Sequence, residues 1–493
     1  MNARVSPGSL APVRRPAVFC VGLGAVSLLL SSAPTYDPWA WLTWGREVAH
    51  GSLSTPGGPA WKPLPVAVTA LLSGLGDLAP DAWLVVARAG AALALVAAFA
   101  LARRLAGGSV AAGAGAAAAV ALCDGFAWHA AVGNSEGLLL ACGLLAGERA
   151  LARRPRQALA LGVAAALLRP EAWPFLAVLA AWAWRVDERA RPAIAAGAVA
   201  LPAAWILPEW IGSGDPWRGS ARARVPNPGA PALADVPALE SLRRAVAIPP
   251  LPALAAAAVA GLAAARVALS AVAGLAWIAI VAAMSQLGYS GEERYLLPGA
   301  ALVALSGGAA IGQALASLAT TLGRSRPVGT PGAIPAGRVS APAGDVPAGQ
   351  VPGARIRPRE RSGAAPVAVV AALALTGLVA PFVVSRARDA LADVRASARE
   401  ARLLDGLDDA LAAAGGRERV LRCGRPYVGP LRGPALAWRL RVPKRRVGFA
   451  PRAPGVAFVS RLPGRAAAEP RTPPGFRLLA RAGGWRVLAR CAR

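Results

Sequence analysis

Eleven runs of mostly Ala, Leu, Val and Gly are strung along this chain, with charged residues gathered chiefly in the segments between them. A bilayer core about 30 Å thick asks for roughly 20 apolar residues of helix, and only helices or closed barrels satisfy every backbone group inside it. The runs fall at 17–33, 82–102, 109–127, 131–149, 157–169, 171–185, 192–210, 250–265, 269–287, 295–318 and 365–385. The fifth and sixth are short, so one or both are expected to start deeper or to take in Arg169-Pro170. A soluble chain of 493 residues would spread its charges through several domains, whereas here 16% of residues are charged and 55% are hydrophobic. The expected fold class is mainly α: a polytopic membrane protein with about eleven transmembrane helices.

The formal net charge of +28 does not mark a nucleic-acid binder. The sequence holds no zinc-finger spacing, RNP-like motif or regular basic and aromatic interleaving. Topology accounts for the charge better. With residues 1–16 cytoplasmic and the runs alternating, cytoplasmic segments hold 20 Lys/Arg against 5 acids. External loops and helix ends before residue 386 hold 10 against 13, and residues 386–493 hold 24 against 8. The resulting +15 inside and −3 outside is the asymmetry that orients helices, and long translocated tails escape it. The expectation is a multi-pass plasma-membrane protein with a cytoplasmic N-terminus and an extracytoplasmic C-terminal domain. Arg14 and Arg15 before the first run give it the look of a secretory signal. Pro34 after Ser31-Ser32-Ala33 disfavours cleavage, so an uncleaved anchor is expected.

Four segments lie outside the runs. Residues 34–81 form a Trp-rich external loop whose apolar stretch 64–76 is too short to span. Pro63 and Pro65 suit the start of a helix lying in the interface there. Residues 211–249 form a second external loop rich in Pro and Gly. Residues 321–364 are Pro/Gly/Arg-rich without periodicity and read as a disordered cytoplasmic linker. After the last span, 365–385, residues 386–414 show helical spacing. Strand-like runs follow at 419–423, 446–449, 455–460, 476–480 and 485–491, enough for a small α/β domain over 386–493. Cys20, Cys123 and Cys142 lie within spans, as small apolar packing residues. Cys423 and Cys491 sit at expected strand ends in an oxidising setting, where a disulfide is expected and two free thiols are the alternative.

Most unusual polar residues fall on the external side. They include Asp37, Glu47, Lys62, Asn134, Glu136, Arg169, Glu171, Glu209, Asp215, Glu292, Glu293, Arg294 and Tyr295. Ionisable groups at membrane depth are expensive and usually face a cavity. Glu136, Arg169 and Glu171 stand out because their neighbours are nearly all apolar; mutual pairing at a helix turn is the structural alternative. His50 and His129 are the only histidines, and neither has a ligand-spaced partner for zinc.

Tyr36-Asp37-Pro38-Trp39 just after the first span resembles the first external loop of GT-C-type polytopic glycosyltransferases. That superfamily includes protein O-mannosyltransferases and lipid A aminoarabinose transferases. Trp61-Lys62-Pro63-Leu64-Pro65, with Ala87-Arg88 beyond it, is similar to their Lys-Pro-Pro segment and following helix. Leu168-Arg169-Pro170-Glu171 resembles their Thr-Arg-Pro-Glu turn. Glu293-Arg294-Tyr295-Leu296-Leu297-Pro298 resembles their Arg-Tyr segment. The tail looks closest to that of actinobacterial members. The resemblance covers roughly 15–320 and makes 1–320 the transmembrane catalytic region.

What the resemblance implies is inverting transfer of a sugar from a polyprenyl-phosphate donor to a glycan, lipid or protein acceptor at the external membrane face. Asp37 matches the family's general base, and Lys62, Arg88 and Arg294 are candidates for the donor phosphate. Snorkelling, or pairing with Asp81, is the alternative for Arg88. Glu136, Arg169, Glu171 and Tyr295 complete the expected substrate-binding set. Relatives place an acidic pair in the first loop. Here Asp37 is followed by Pro38, so a divalent metal, which wants several oxygen ligands, would rest on Asp37 and Glu47. No other cofactor is implied. Two rival readings are a transporter or flippase for a lipid-linked sugar, expected to show internal repeats, and a non-catalytic membrane scaffold whose external domain binds a partner.

Overall fold

The computed structural model describes residues 11–263, 265–324, 364–429, 431–460 and 472–492. Its helices are α1 (Ala11–Val26), α2 (Tyr36–Ala49), α3 (Pro63–Leu72), α4 (Ala79–Leu105), α5 (Val110–Ala121) and α6 (Phe126–Ala131). Then come α7 (Glu136–Leu151), α8 (Pro155–Leu168), α9 (Trp173–Val186), α10 (Arg191–Ser213), α11 (Arg218–Ala223) and α12 (Pro237–Ala247). The remainder are α13 (Leu251–Ala263), α14 (Ala265–Gln286), α15 (Glu293–Arg324), α16 (Ala364–Ala413), α17 (Gly416–Cys423) and α18 (Gly433–Leu440). Four short strands follow or interleave at the end: β1 (Arg425–Tyr427), β2 (Gly455–Val459), β3 (Arg477–Ala482) and β4 (Trp485–Arg490).

Each apolar run lies largely on helix where it is described, with breaks at 122–125 and 132–135 inside the third and fourth runs. Among the described residues, four helices are long and apolar enough to cross a bilayer, or five if the pair Pro237–Ala247 and Leu251–Ala260, bent by 101°, counts as one. The expected eleven exceeds this because several helices are short: α8 and α9 have 14 residues each, and α5 has 12. At about 1.5 Å per residue such helices reach only some 20 Å.

The first external loop contains the helix expected from Pro63 and Pro65, and a second one before it. It folds into α2, then α3, which starts at Pro63 where a missing N–H costs nothing. The last apolar run and the following amphipathic stretch form one 50-residue helix, α16. The expected strand at 419–423 is the end of helix α17. Val420 and Cys423 are buried three residues apart between exposed Arg419 and Arg422, a helical period. The expected strand at 446–449 is also absent; a 3₁₀ turn over Lys444–Arg446 precedes buried Val447 and Gly448. The strand missed from sequence, β1, contains Pro426 and sits at the sheet edge, where proline is tolerated. The sheet order is β1-β2-β4-β3, with β1 and β2 parallel and the rest antiparallel. Gly483 and Gly484 turn the β3–β4 hairpin with φ of 55° and 80°, as a two-residue loop of this hand requires. Cys423 and Cys491 are disulfide-bonded. The expected linker, 321–364, lies almost wholly outside the described residues; its first four residues end α15 and its last begins α16.

Among the described residues, two large cores and two small clusters hold the chain together. One joins α4, α5, α7, α8, α13, α14 and α15 through small and branched residues. In it α15 is central, and glycines let its backbone approach its neighbours closely. A Cβ at Gly308 would strike the Gly115 carbonyl of α5, and one at Gly307 the Ala253 carbonyl of α13. Lipid offers no hydrophobic drive between helices, so such close backbone packing supplies the contact. Gly308→Ala should therefore destabilise the chain by about 1–3 kcal/mol. Gly143→Ala, where a Cβ meets nothing within 4 Å, should stay near wild type. Thermal unfolding in one detergent compares them. The second core merges Trp39, Trp41, Trp44 and Trp83 with Leu404, Leu436, Phe458 and Trp485, so the first loop and the C-terminal sheet share apolar packing.

Candidate functional site

The first turn of α2, the residue before α3, the start of α7, the α8–α9 break and the start of α15 converge. Asp37 of α2 accepts from the Arg294 guanidinium at 2.7 Å. Arg294 also donates to Glu292 at 2.9 Å and lies over the Tyr295 ring, 5.1 Å from its centroid. Lys62 donates to Ser135 at 3.2 Å, with its ammonium 4.9 Å from the centroid of Trp41, one turn beyond Asp37. Arg169 donates to Glu136 at 2.6 Å and to Glu171 at 3.5 Å, and stacks 4.0 Å above Tyr295. The chain breaks between α8 and α9 because Pro170 lacks an N–H. Arg169 is extended there, and its side chain is free to turn inward.

The cluster is deeply buried: Glu136 is 1%, Arg169 3%, Glu171 5%, Lys62 8% and Asp37 8% exposed. Burial pushes the Asp37 carboxyl up, but the Arg294 guanidinium and Lys62 ammonium outweigh it, leaving the group below its ordinary value and ionised. Burial and the Arg169 charge bring Lys62 down to about 7 despite Glu136 and Asp37. A buried lysine so close to neutrality is poised to gain a proton when an anion arrives.

The segment carrying Lys62 is fastened from behind. Glu209 accepts from the Trp61 backbone N–H at 3.0 Å and from Arg218 at 2.6 and 2.7 Å, while Arg218 donates to Pro59 O at 2.7 Å. Sequence reasoning singled out Glu209 but missed Arg218 and Ser135. The nearest signals were Arg218 following Glu209 beyond a glycine turn, and Ser135 adjoining Glu136. Beside Lys62 runs an apolar groove of about 550 Å³ that includes Trp61, Leu64, Val66, Ala204, Pro208 and Ile211.

Two sequence expectations sit elsewhere. Arg88 donates to Ser27 and Ser32 and to the carbonyls of Ser27 and Ala131, tying α4 to the end of α1 and to α6. It pairs with these protein oxygens rather than with the cluster. Glu47 lies ten residues beyond Asp37 on the same helix, a rise of about 15 Å, so the two carboxylates do not share one ion. Glu47 instead accepts from the Ser54 N–H at 2.8 Å, and burial pushes it up to about 7. Among the described residues no three His, Cys, Asp or Glu side chains gather in a metal-binding group. The residues present do not fit the divalent-metal expectation.

Fold and cluster together define a helical protein of membrane type with a buried, ion-paired centre at one end of its bundle and a small C-terminal sheet. That fold is shared with ArnT from Cupriavidus metallidurans. The crystal structure of its apo state matches with a TM-score of 0.52 at 16% identity, covering 97% of this chain and 98% of that one. The crystal structure of the same protein bound to undecaprenyl phosphate matches with a TM-score of 0.51 at 15% identity, covering 98% of each. No family model matches the chain, and no curated protein sequence does.

Proposed function

We propose that the chain is a membrane glycosyltransferase of GT-C type that moves a sugar from a polyprenyl-phosphate donor to an acceptor at the external membrane face, with inversion. The observation that carries this reading is the Asp37–Arg294 ion pair with buried Lys62 close by, on a segment whose flanking residues, Trp61 and Pro63, line an apolar groove. One carboxylate, two cations and a channel for an isoprenoid chain are what such a donor needs. The undecaprenyl phosphate bound by the ArnT neighbour is a molecule of this kind.

In this reading Lys62 and Arg294 hold the donor phosphate, Lys62 as a point charge and Arg294 by forked hydrogen bonds. The acceptor oxygen attacks the anomeric carbon, the carbon–oxygen bond to phosphate breaks, and polyprenyl phosphate leaves. The acceptor proton goes to Asp37. As the phosphate draws Arg294 toward itself, Asp37 loses its strongest partner and becomes a better base at the moment it is needed. Arg169, Glu136, Glu171 and Tyr295 fix the walls of this centre. Arg88 anchors the helix behind it. Eleven spans, a cytoplasmic N-terminus and an external C-terminal domain in the plasma membrane complete the proposal. They place the cluster at the external rim and the arginine-rich helix ends in the cytoplasm. A cysteine introduced in 330–350 should resist an impermeant thiol reagent in intact cells, and one near 465 should react; reversed labelling overturns the orientation.

Lys62 gives a pH signature. In the free protein its charge fades as pH rises through about 7, so an arriving phosphate must restore the proton. Affinity for undecaprenyl phosphate, normalised to a Lys62→Gln variant, should fall by about tenfold between about pH 6.5 and about pH 8.5. Parallel profiles for both proteins would remove Lys62 from the phosphate site.

A further inference from the structure

On the opposite face of α2 from Asp37 lies a polar cleft of about 1000 Å³, walled by α2, α16, α18 and the turn before α4. The stripe Trp39, Arg46, Glu47 and His50 faces it, and Trp438 and Asp405 look across from the C-terminal domain. Among the described residues, three buried polar atoms of this lining make no hydrogen bond: Oε1 of Glu47, an acceptor, and Nε1 of Trp39 and Nε of Arg439, donors, the last ion-paired with Asp408. The Trp39 and Trp438 rings stand 6.3 Å apart, tilted by 45°.

The lining selects among ligands. Its carboxylates, Glu47, Asp77, Asp81, Asp405 and Asp408, outnumber the guanidinium groups of Arg46, Arg439 and Arg441. Two of those cations are already engaged, Arg439 with Asp408 at 2.8 Å and Arg46 with the Trp438 carbonyl at 3.0 Å. An anion would meet net negative charge, and an apolar chain would bury these groups without hydrogen bonds. A neutral polyhydroxyl ligand meets both requirements. Its hydroxyls donate to carboxylates and accept from the indole N–H, and its C–H faces lie against indole rings. The volume is at the upper end of ordinary ligand sites, large enough for more than one sugar ring.

We propose that this cleft binds a neutral glycan, the part of the acceptor remote from the reacting hydroxyl; the acceptor role rests on the transferase reading above. Ala33 and Pro34, at the N-terminal approach to α2, also line the cleft, so a glycan held there reaches over the first turn of the helix toward Asp37. Binding remote from the reacting atoms is how a transferase selects its acceptor.

Saturation-transfer NMR on the full-length chain in nanodiscs tests this, using linear neutral gluco-, manno-, galacto- and arabino-oligosaccharides at about 10 mM. At least one should bind. An Asp77→Asn/Asp405→Asn double variant, both positions exposed, should weaken that binding by about tenfold. Trp438→Ala should do the same, and undecaprenyl phosphate binding should stay unchanged in both. The proposal is overturned if no oligosaccharide binds, if binding survives in both variants, or if spermine binds instead in a salt-sensitive way. Oligosaccharide binding in a protein that ignores undecaprenyl phosphate would sink the donor reading and leave the glycan cleft standing.

Discussion

Replacing Asp37 by Asn should lower sugar transfer by about 10²–10⁴-fold, the usual worth of a positioned general base. The substitution preserves size and most hydrogen bonding but removes the charge that accepts the acceptor's proton. It also removes the 2.7 Å ion pair with Arg294. Donor affinity should therefore hold or rise, because Arg294 no longer has to leave a carboxylate to reach phosphate. That opposite movement of binding and turnover separates a base from a merely structural carboxylate, whose loss would weaken both. Transfer by Asp37→Asn at the wild-type rate would end the assignment, and Glu136 and Glu171 would be the carboxylates to examine next.

The second large effect is on stability. Arg169→Met should destabilise the chain by about 3–5 kcal/mol, because it strands two buried carboxylates rather than deleting one contact. Glu136 and Glu171 are 1% and 5% exposed, and both face Arg169. The cation also stacks on Tyr295, so its loss loosens the α8–α9 break from the start of α15. Neutralising all three positions, as Glu136→Gln/Arg169→Met/Glu171→Gln, should recover most of the loss. Unfolding in a fixed detergent measures both variants. A single variant within about 1 kcal/mol of wild type would show that these charges are not buried as described.

The helical class was legible because an apolar run of bilayer length has few other solutions. The centre was legible for a related reason. Glu136, Arg169 and Glu171 stood out against Ala and Leu, and the fold brings them onto one another. Lys62 and Arg294 were found as isolated cations beside proline and tyrosine, and their shared surroundings with Asp37 could only come from tertiary structure. Arg88 looked equivalent in sequence, but its partners are serine and carbonyl oxygens that no spacing announces. Glu47 seemed a second carboxylate for a metal until α2 proved helical across the whole interval from Asp37. The strand expectations failed where arginine alternated with apolar residues over too few positions to separate a period of 2 from 3.6, as at Val420 and Cys423. Burial of the first-loop tryptophans against the C-terminal sheet had no local signal at all.

The central claim is tested most directly by following release of undecaprenyl phosphate. The purified chain in proteoliposomes is given undecaprenyl-phosphate-linked hexoses, pentoses and aminopentoses with a cell-envelope extract as acceptor. Mass spectrometry reads the products. The account predicts that wild-type protein releases the carrier from at least one donor, with the sugar appearing on an extract component, and that Asp37→Asn does not. No release from any donor by wild-type protein that still binds undecaprenyl phosphate would contradict it.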